Sequence, residues 1–121
     1  MKSFINIILC ICILFSYSIR SEDIPYLLTA SSKGDIESVK AIIDSGGNPN
    51  TEDGNKVTAL MYASRKNQVE VARYLISKGA EVNKQEIDGW TALMYASKNN
   101  YSDVVKLLIN NNADLKITDS D

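Results

Sequence analysis

Thr58-Ala59-Leu60-Met61-Tyr62-Ala63-Ser64 returns unchanged as Thr91-Ala92-Leu93-Met94-Tyr95-Ala96-Ser97, thirty-three residues further along the chain. A self-match of this kind marks a repeat architecture, and the repeat decides the fold before any single element is read. The same displacement pairs Asn67 with Asn100, Val71 with Val104, Leu75 with Leu108, Ile76 with Ile109 and Ala80 with Ala113, so no insertion breaks the register. Taken backwards, it carries Leu60 to Leu27, Ala63 to Ala30, Ser64 to Ser31, Glu70 to Glu37, Ile76 to Ile43, Gly79 to Gly46 and Asn83 to Asn50. Three copies follow, over about 22–50, 51–83 and 84–116, the first being the most divergent.

Within a copy the apolar spacing is helical. Leu60, Ala63 and the small Ser64 share one face, and Val71, Ala72, Leu75 and Ile76 form the next stripe, which predicts two short helices per unit. Gly34, Asn67 and Asn100 stand between them, and these residue types accept a left-handed backbone at a helix end. Gly46 and Gly79 close the second helices. The turn formers of Asn50 to Asn55 and Asn83 to Gly89 then predict projecting, hairpin-like loops. A unit of two helices cannot cover its own apolar face, so the copies must stack.

The run Asp88-Gly89-Trp90-Thr91-Ala92-Leu93-Met94-Tyr95-Ala96, followed by Asp103-Val104-Val105-Lys106-Leu107-Leu108 and Ala113-Asp114-Leu115, resembles an ankyrin repeat. The resemblance extends over roughly Asp23 to Lys116. It implies an all-α solenoid of three stacked helix-turn-helix repeats with projecting hairpin loops. The family motif has proline and histidine where this chain has Ala59 and Met61, and again Ala92 and Met94. Alanine keeps the helix. Methionine cannot bond the threonine hydroxyl as the family's histidine does, so Thr58 and Thr91 are expected to cap their helices alone. Asp23 and Pro25 suit an N-cap and a first helical turn. At the far end the polar Asn110-Asn111-Asn112 predicts a thinly capped outer face.

Ahead of the repeats, Lys2 precedes an apolar run from Phe4 to Phe15, then Ser16-Tyr17-Ser18-Ile19-Arg20-Ser21 and the acidic Glu22-Asp23. This is the layout of a cleaved secretory signal peptide, assigned to residues 1–21, with the cut after Ser18 or Ser21. The expected location is therefore secreted or periplasmic. The other reading is an apolar start retained as a membrane anchor, although the run falls short of the about 20 residues a spanning helix needs. Cys10 and Cys12 lie within it and lack the small preceding residues of a lipoprotein acceptor. A cut after Ser21 removes Lys2 and Arg20 and no acid; 13 cations less 2, against 15 acids, gives a net charge of -4.

These counts exclude several functions. The chain has no histidine, and no cysteine beyond Cys12, so the usual general base, metal cluster and thiol nucleophile are missing from the repeats. No phosphate loop or nucleophile motif appears, and the acidic balance opposes nucleic-acid binding. No cofactor or metal is expected. Asp35, Glu37, Glu70 and Asp103 recur at the starts of second helices, where the helix dipole accounts for them.

The reading is thus a non-enzymatic interaction module with a protein partner, no nucleic acid and, once cleaved, no membrane. It is expected to be monomeric, with weak self-association through the last copy as the lesser reading. The alternative is a membrane-anchored structural or stress-protective factor of a bacterial envelope. By resemblance, partners meet the loop tips and the exposed side of each first helix. Transferred position by position, this selects Gly54, Asn55, Val57, Arg65 and Lys66 in the middle copy, and Ile87, Asp88, Trp90, Lys98 and Asn99 in the last, with Ser32 and Lys33 corresponding in the first. Trp90 reads either as a contact anchor or as packing on the neighbouring loop. Tyr62 and Tyr95 form a two-ring ladder on the inner helices, either as core or as binding surface. Arg65, Lys66 and Lys98 form a basic strip beside them or a merely solvated face.

Overall fold

Thr58 and Thr91 hold an extended backbone, and their hydroxyl oxygens accept the N–H groups of Met61 and Met94 at 3.2 and 3.3 Å. Each threonine thereby satisfies one of the open donors of a helix start. The computed structural model describes residues 26–119. Its helices are α1 over 26–33, α2 Ile36–Asp44, α3 Ala59–Arg65, α4 Val69–Ser77, α5 Ala92–Lys98 and α6 Ser102–Asn110. Among the described residues there is no strand, only one bridge between Glu52 and Thr58. The fold is all-α. The signal-peptide reading and the cap assigned to Asp23 and Pro25 lie outside the described residues.

The expectation that threonine caps alone needs one correction. At Thr58 the Met61 sulfur reaches back and accepts the threonine N–H at 3.4 Å, closing a reciprocal box; at Thr91 only the hydroxyl half is present. Sulfur is a weak acceptor, but it takes the place that a glutamate or glutamine side chain fills in the usual arrangement.

One device ends all the helices. Gly34, Asn67 and Asn100 take positive φ angles of 76°, 60° and 59°. The next N–H then bonds back across the turn, from Asp35 to Ala30 O, Gln68 to Ala63 O and Tyr101 to Ala96 O, at 2.9 to 3.0 Å. Second helices repeat it through Gly46, Gly79 and Asn112, with Gly47 bonding Ile42 O, Ala80 bonding Leu75 O and Ala113 bonding Leu108 O. The left-handed residue turns the chain while satisfying a carbonyl that the helix leaves open.

Stacking hides the apolar faces. Helix α3 packs against both α4 and α5, α5 against α6, and the second helices α2, α4 and α6 lie side by side. Leu27, Leu60, Val39, Val71, Leu75, Val104 and Leu108 are fully buried, and Ala30, Ala63 and Ala96 at equivalent sites let the helices approach. Polar staples join the copies as well. The Asn50 side chain donates to Gly79 O at 3.1 Å and accepts from Glu81 N at 2.7 Å; Asn83 does the same with Asn112 O and Asp114 N at the same distances. On the second helices Tyr74 donates its hydroxyl to Asp44, while Lys40 and Lys78 sit 5.8 and 5.6 Å from its ring.

The last copy is less covered than the middle one, in keeping with the polar Asn110 to Asn112 run. Met61, Leu60 and Ser64 are buried; their counterparts Met94 and Leu93 are half-buried, and Ser97 is exposed. Ile109 is 45% and Leu115 70% exposed.

Candidate functional site

The site begins with two acids that the repeat makes equivalent, Asp53 and Glu86. Each loop is a hairpin closed by a backbone bond, Asp53 N to Val57 O at 3.1 Å and Glu86 N to Trp90 O at 2.9 Å. Lys56 and Gly89 turn the two hairpins with positive φ. The carboxylate fills the hollow. Asp53 Oδ1 accepts from the N–H groups of Asn55 and Val57 at 2.8 and 3.0 Å, and Glu86 Oε1 from those of Asp88 and Trp90 at 2.7 and 2.9 Å. The second oxygen accepts from a tyrosine of the following helix: Tyr62 Oη on Asp53 at 2.7 Å, Tyr95 Oη on Glu86 at 3.3 Å. Loop and first helix are thus one unit. The loops also join each other, through Ile87 N to Asn55 O at 2.9 Å and Lys84 beside Glu52 at 3.7 Å.

Cations and rings build the surface on this frame. The Arg65 guanidinium lies 4.6 Å from the Tyr62 ring centre and 5.5 Å from that of Tyr95, between the two tyrosines. Trp90 packs on Tyr95 with centroids 5.1 Å apart and planes tilted by 40°, and the Lys98 ammonium sits 5.3 Å over the Trp90 ring. These separations fit attraction between a cation and a ring face, and the offset packing of aromatic pairs. The row reads Tyr62, Arg65, Tyr95, Trp90, Lys98.

Protonation follows from the contacts. Burial raises the Asp53 carboxyl, but the bonds from Tyr62, Val57 and Asn55, aided by the Arg65 charge, outweigh it and leave the pKa lowered. Burial raises the Tyr62 hydroxyl, and its bond to Asp53 raises it further. Tyr95 is raised by burial and by the charge of Glu86. Asp53 therefore acts as an acceptor, and Tyr62 and Tyr95 as donors, at neutral pH.

The sequence-selected residues divide accordingly. Trp90, Tyr95, Tyr62 and Arg65 are half-buried and meet in one row, and Lys98 reaches it. The two-ring ladder is in fact a sandwich with Arg65 as its filling. Ile87, 62% exposed, and Asp88 and Asn55 form the loop tips. Lys66 and Asn99 are exposed at the helix ends, where Asn99 Nδ2 donates to Tyr95 O at 3.0 Å. Val57 is corrected: it is 6% exposed and its side chain belongs to the core cluster. Trp90, its counterpart, stays at the surface because its ring rests on Tyr95. The organising acids Asp53 and Glu86 were not among the selected residues, although the thirty-three-residue displacement pairs them.

A family model of ankyrin repeats, in three copies, matches residues 27–119. The chain belongs to the ankyrin-repeat family. No curated protein matches it. Ankyrin repeats typically serve as non-enzymatic protein-interaction modules, and their loops and first helices carry the row described above. Among the described residues, no helix is long and apolar enough to cross a membrane and no group of three or more potential ligands could hold a metal ion.

Proposed function

We propose that this ankyrin-repeat protein is a non-enzymatic binding module, exported on its N-terminal segment, that holds one protein partner on the Tyr62-Arg65-Tyr95-Trp90-Lys98 row and the Asn55, Ile87 and Asp88 tips. The observation that carries the reading is the mounting of Trp90. It is a large ring left half-exposed, yet packed on Tyr95, with the Lys98 ammonium over it and its backbone N–H held by Glu86. A ring already held in place loses little freedom on binding, which is what makes tryptophan an interface anchor. Ile87 beside it adds apolar area.

Capture with the protein as bait, against Trp90→Ala and Ile87→Ala variants checked for native helicity, tests the surface. A partner retained by the native chain and lost by both variants supports it; one retained equally by all three refutes it. Export rests on the charged, apolar and small-residue succession of residues 1–21. Mass spectrometry of the native N-terminus tests it separately: a terminus at Ile19 or Glu22 supports cleavage, and an intact Met1 supports the retained anchor.

A further inference from the structure

A cleft of about 260 Å³ opens on the same face, lined by Leu28, Thr29, Ser32, Lys33, Asp53 and Tyr62. Moved on by one repeat, those positions become Met61, Tyr62, Arg65, Lys66, Glu86 and Tyr95, and the Arg65 guanidinium there lies against the Tyr62 and Tyr95 rings. The two clefts are the same place in successive copies. In one, Arg65 fills the space; in the other, Ser32 stands at the arginine position and its short side chain leaves the space open.

We propose that the open cleft receives an arginine side chain of the protein partner, whose guanidinium takes the place that Arg65 takes one repeat further on. The proposal rests on the partner-binding reading and names the group recognised. Tyr62 offers a ring and Asp53 a carboxylate, the pair of groups a guanidinium uses best. The Asp53 carboxylate has capacity to spare. Its Oδ1 accepts two backbone N–H groups and its Oδ2 the Tyr62 hydroxyl, while an ionised carboxylate offers about four acceptor sites. Lys33 lines the cleft, and its repeat equivalent Lys66 adjoins Arg65 in the sequence, so a cation at this position accompanies the guanidinium one repeat further on. Thr29 replaces the second tyrosine, so the visiting group is held by one ring where Arg65 has two.

The test is an amide-resolved NMR titration of the protein with N-acetyl-arginine amide, and with N-acetyl-citrulline amide as a neutral probe of the same shape. Saturable shifts at Ser32, Asn55 and Tyr62, about tenfold tighter for the arginine probe, are expected. Ser32→Arg, which fills the cleft from within, and Ser32→Gln, which fills it without charge, should both abolish those shifts and leave the distant amides of α6 unchanged. Equal responses to the two probes, no saturable shift at these amides, or shifts that survive both substitutions overturn the proposal. A captured partner that Ser32→Arg and Ser32→Gln retain but Trp90→Ala loses also overturns it while leaving the partner-binding reading standing.

Discussion

Asp53 and Glu86 are the residues on which the exposed face depends, and their role is mechanical. Each holds a hairpin by two backbone donors and ties it to a helix by one tyrosine. Asp53→Ala leaves two N–H groups and a half-buried hydroxyl without their acceptor, so it is expected to lower stability by about 1–3 kcal/mol in urea titration. The signs of the pKa shifts set the pH range. Asp35, bonded by the side chain and N–H of Ser38, and Asp53 both have lowered values. Their contribution is therefore present above the unfolded value of about 3.9 and lost as pH falls through the folded ones. Tyr62 and Tyr95 are raised, and Tyr74 is pushed up to about 12 by its bond to Asp44. Theirs is complete below about 10 and lost as pH rises through the folded values. The urea midpoint should accordingly stay level between about pH 5 and 9 and drop on both sides, and the phenolate absorbance of the folded protein should lag behind that of the denatured chain.

At the scale of elements, a short helix pair depends on how it turns. Gly34 has φ +76°, and an added Cβ would come within 2.3 Å of Gln68 Oε1, displacing the side chain whose Nε2 donates to Ser32 O at 2.9 Å. Gly34→Ala thus strains the α1–α2 turn and loosens the first copy from the second. A loss of about 1–2 kcal/mol is expected from the left-handed backbone alone, measured by thermal or urea unfolding. The equivalent Asn67 and Asn100 show that a side chain is tolerated there when its polar group is short enough to suit that backbone. The two-helix unit, its turns and its loop positions were all legible in the thirty-three-residue period. The Met61 contact was not, because a sulfur acceptor has no sequence signature, and Val57 was misplaced because a loop position says nothing about which way its side chain turns.

Among the described residues the last copy is less covered than the middle one, and stability follows position in the stack more than residue type. Met61 and Met94 occupy identical heptapeptides, yet Met61 is 1% exposed between two neighbours and Met94 is half-buried in the last copy. Met61→Ala is expected to destabilise by about 2–5 kcal/mol, and Met94→Ala by less than half as much, compared as urea midpoints. Equal losses would mean that the last copy is covered in solution. The staples at Asn50 and Asn83 make each copy depend on the next, so unfolding that starts at the less covered α5–α6 pair should spread to α3 and α4.

The residue order by itself determined the period, the helices and the face that they share, because a helical pattern repeated at fixed spacing has only one way to bury its apolar stripes. The family resemblance singled out Trp90 and Arg65, and the repeat paired Tyr62 with Tyr95, with core and binding surface both open for the two rings. Tertiary structure alone decided that Arg65 stands between two rings, that Asp53 and Glu86 lock the loops, and that Ser32 leaves an open cleft where its counterpart fills one. The physical reason is that the Arg65–Tyr95 contact and the cleft at Ser32 join residues of different copies, which stacking alone brings together. The Asp53 and Glu86 locks lie within one copy, but they depend on how the folded loop aims its carboxylate at the helix that follows.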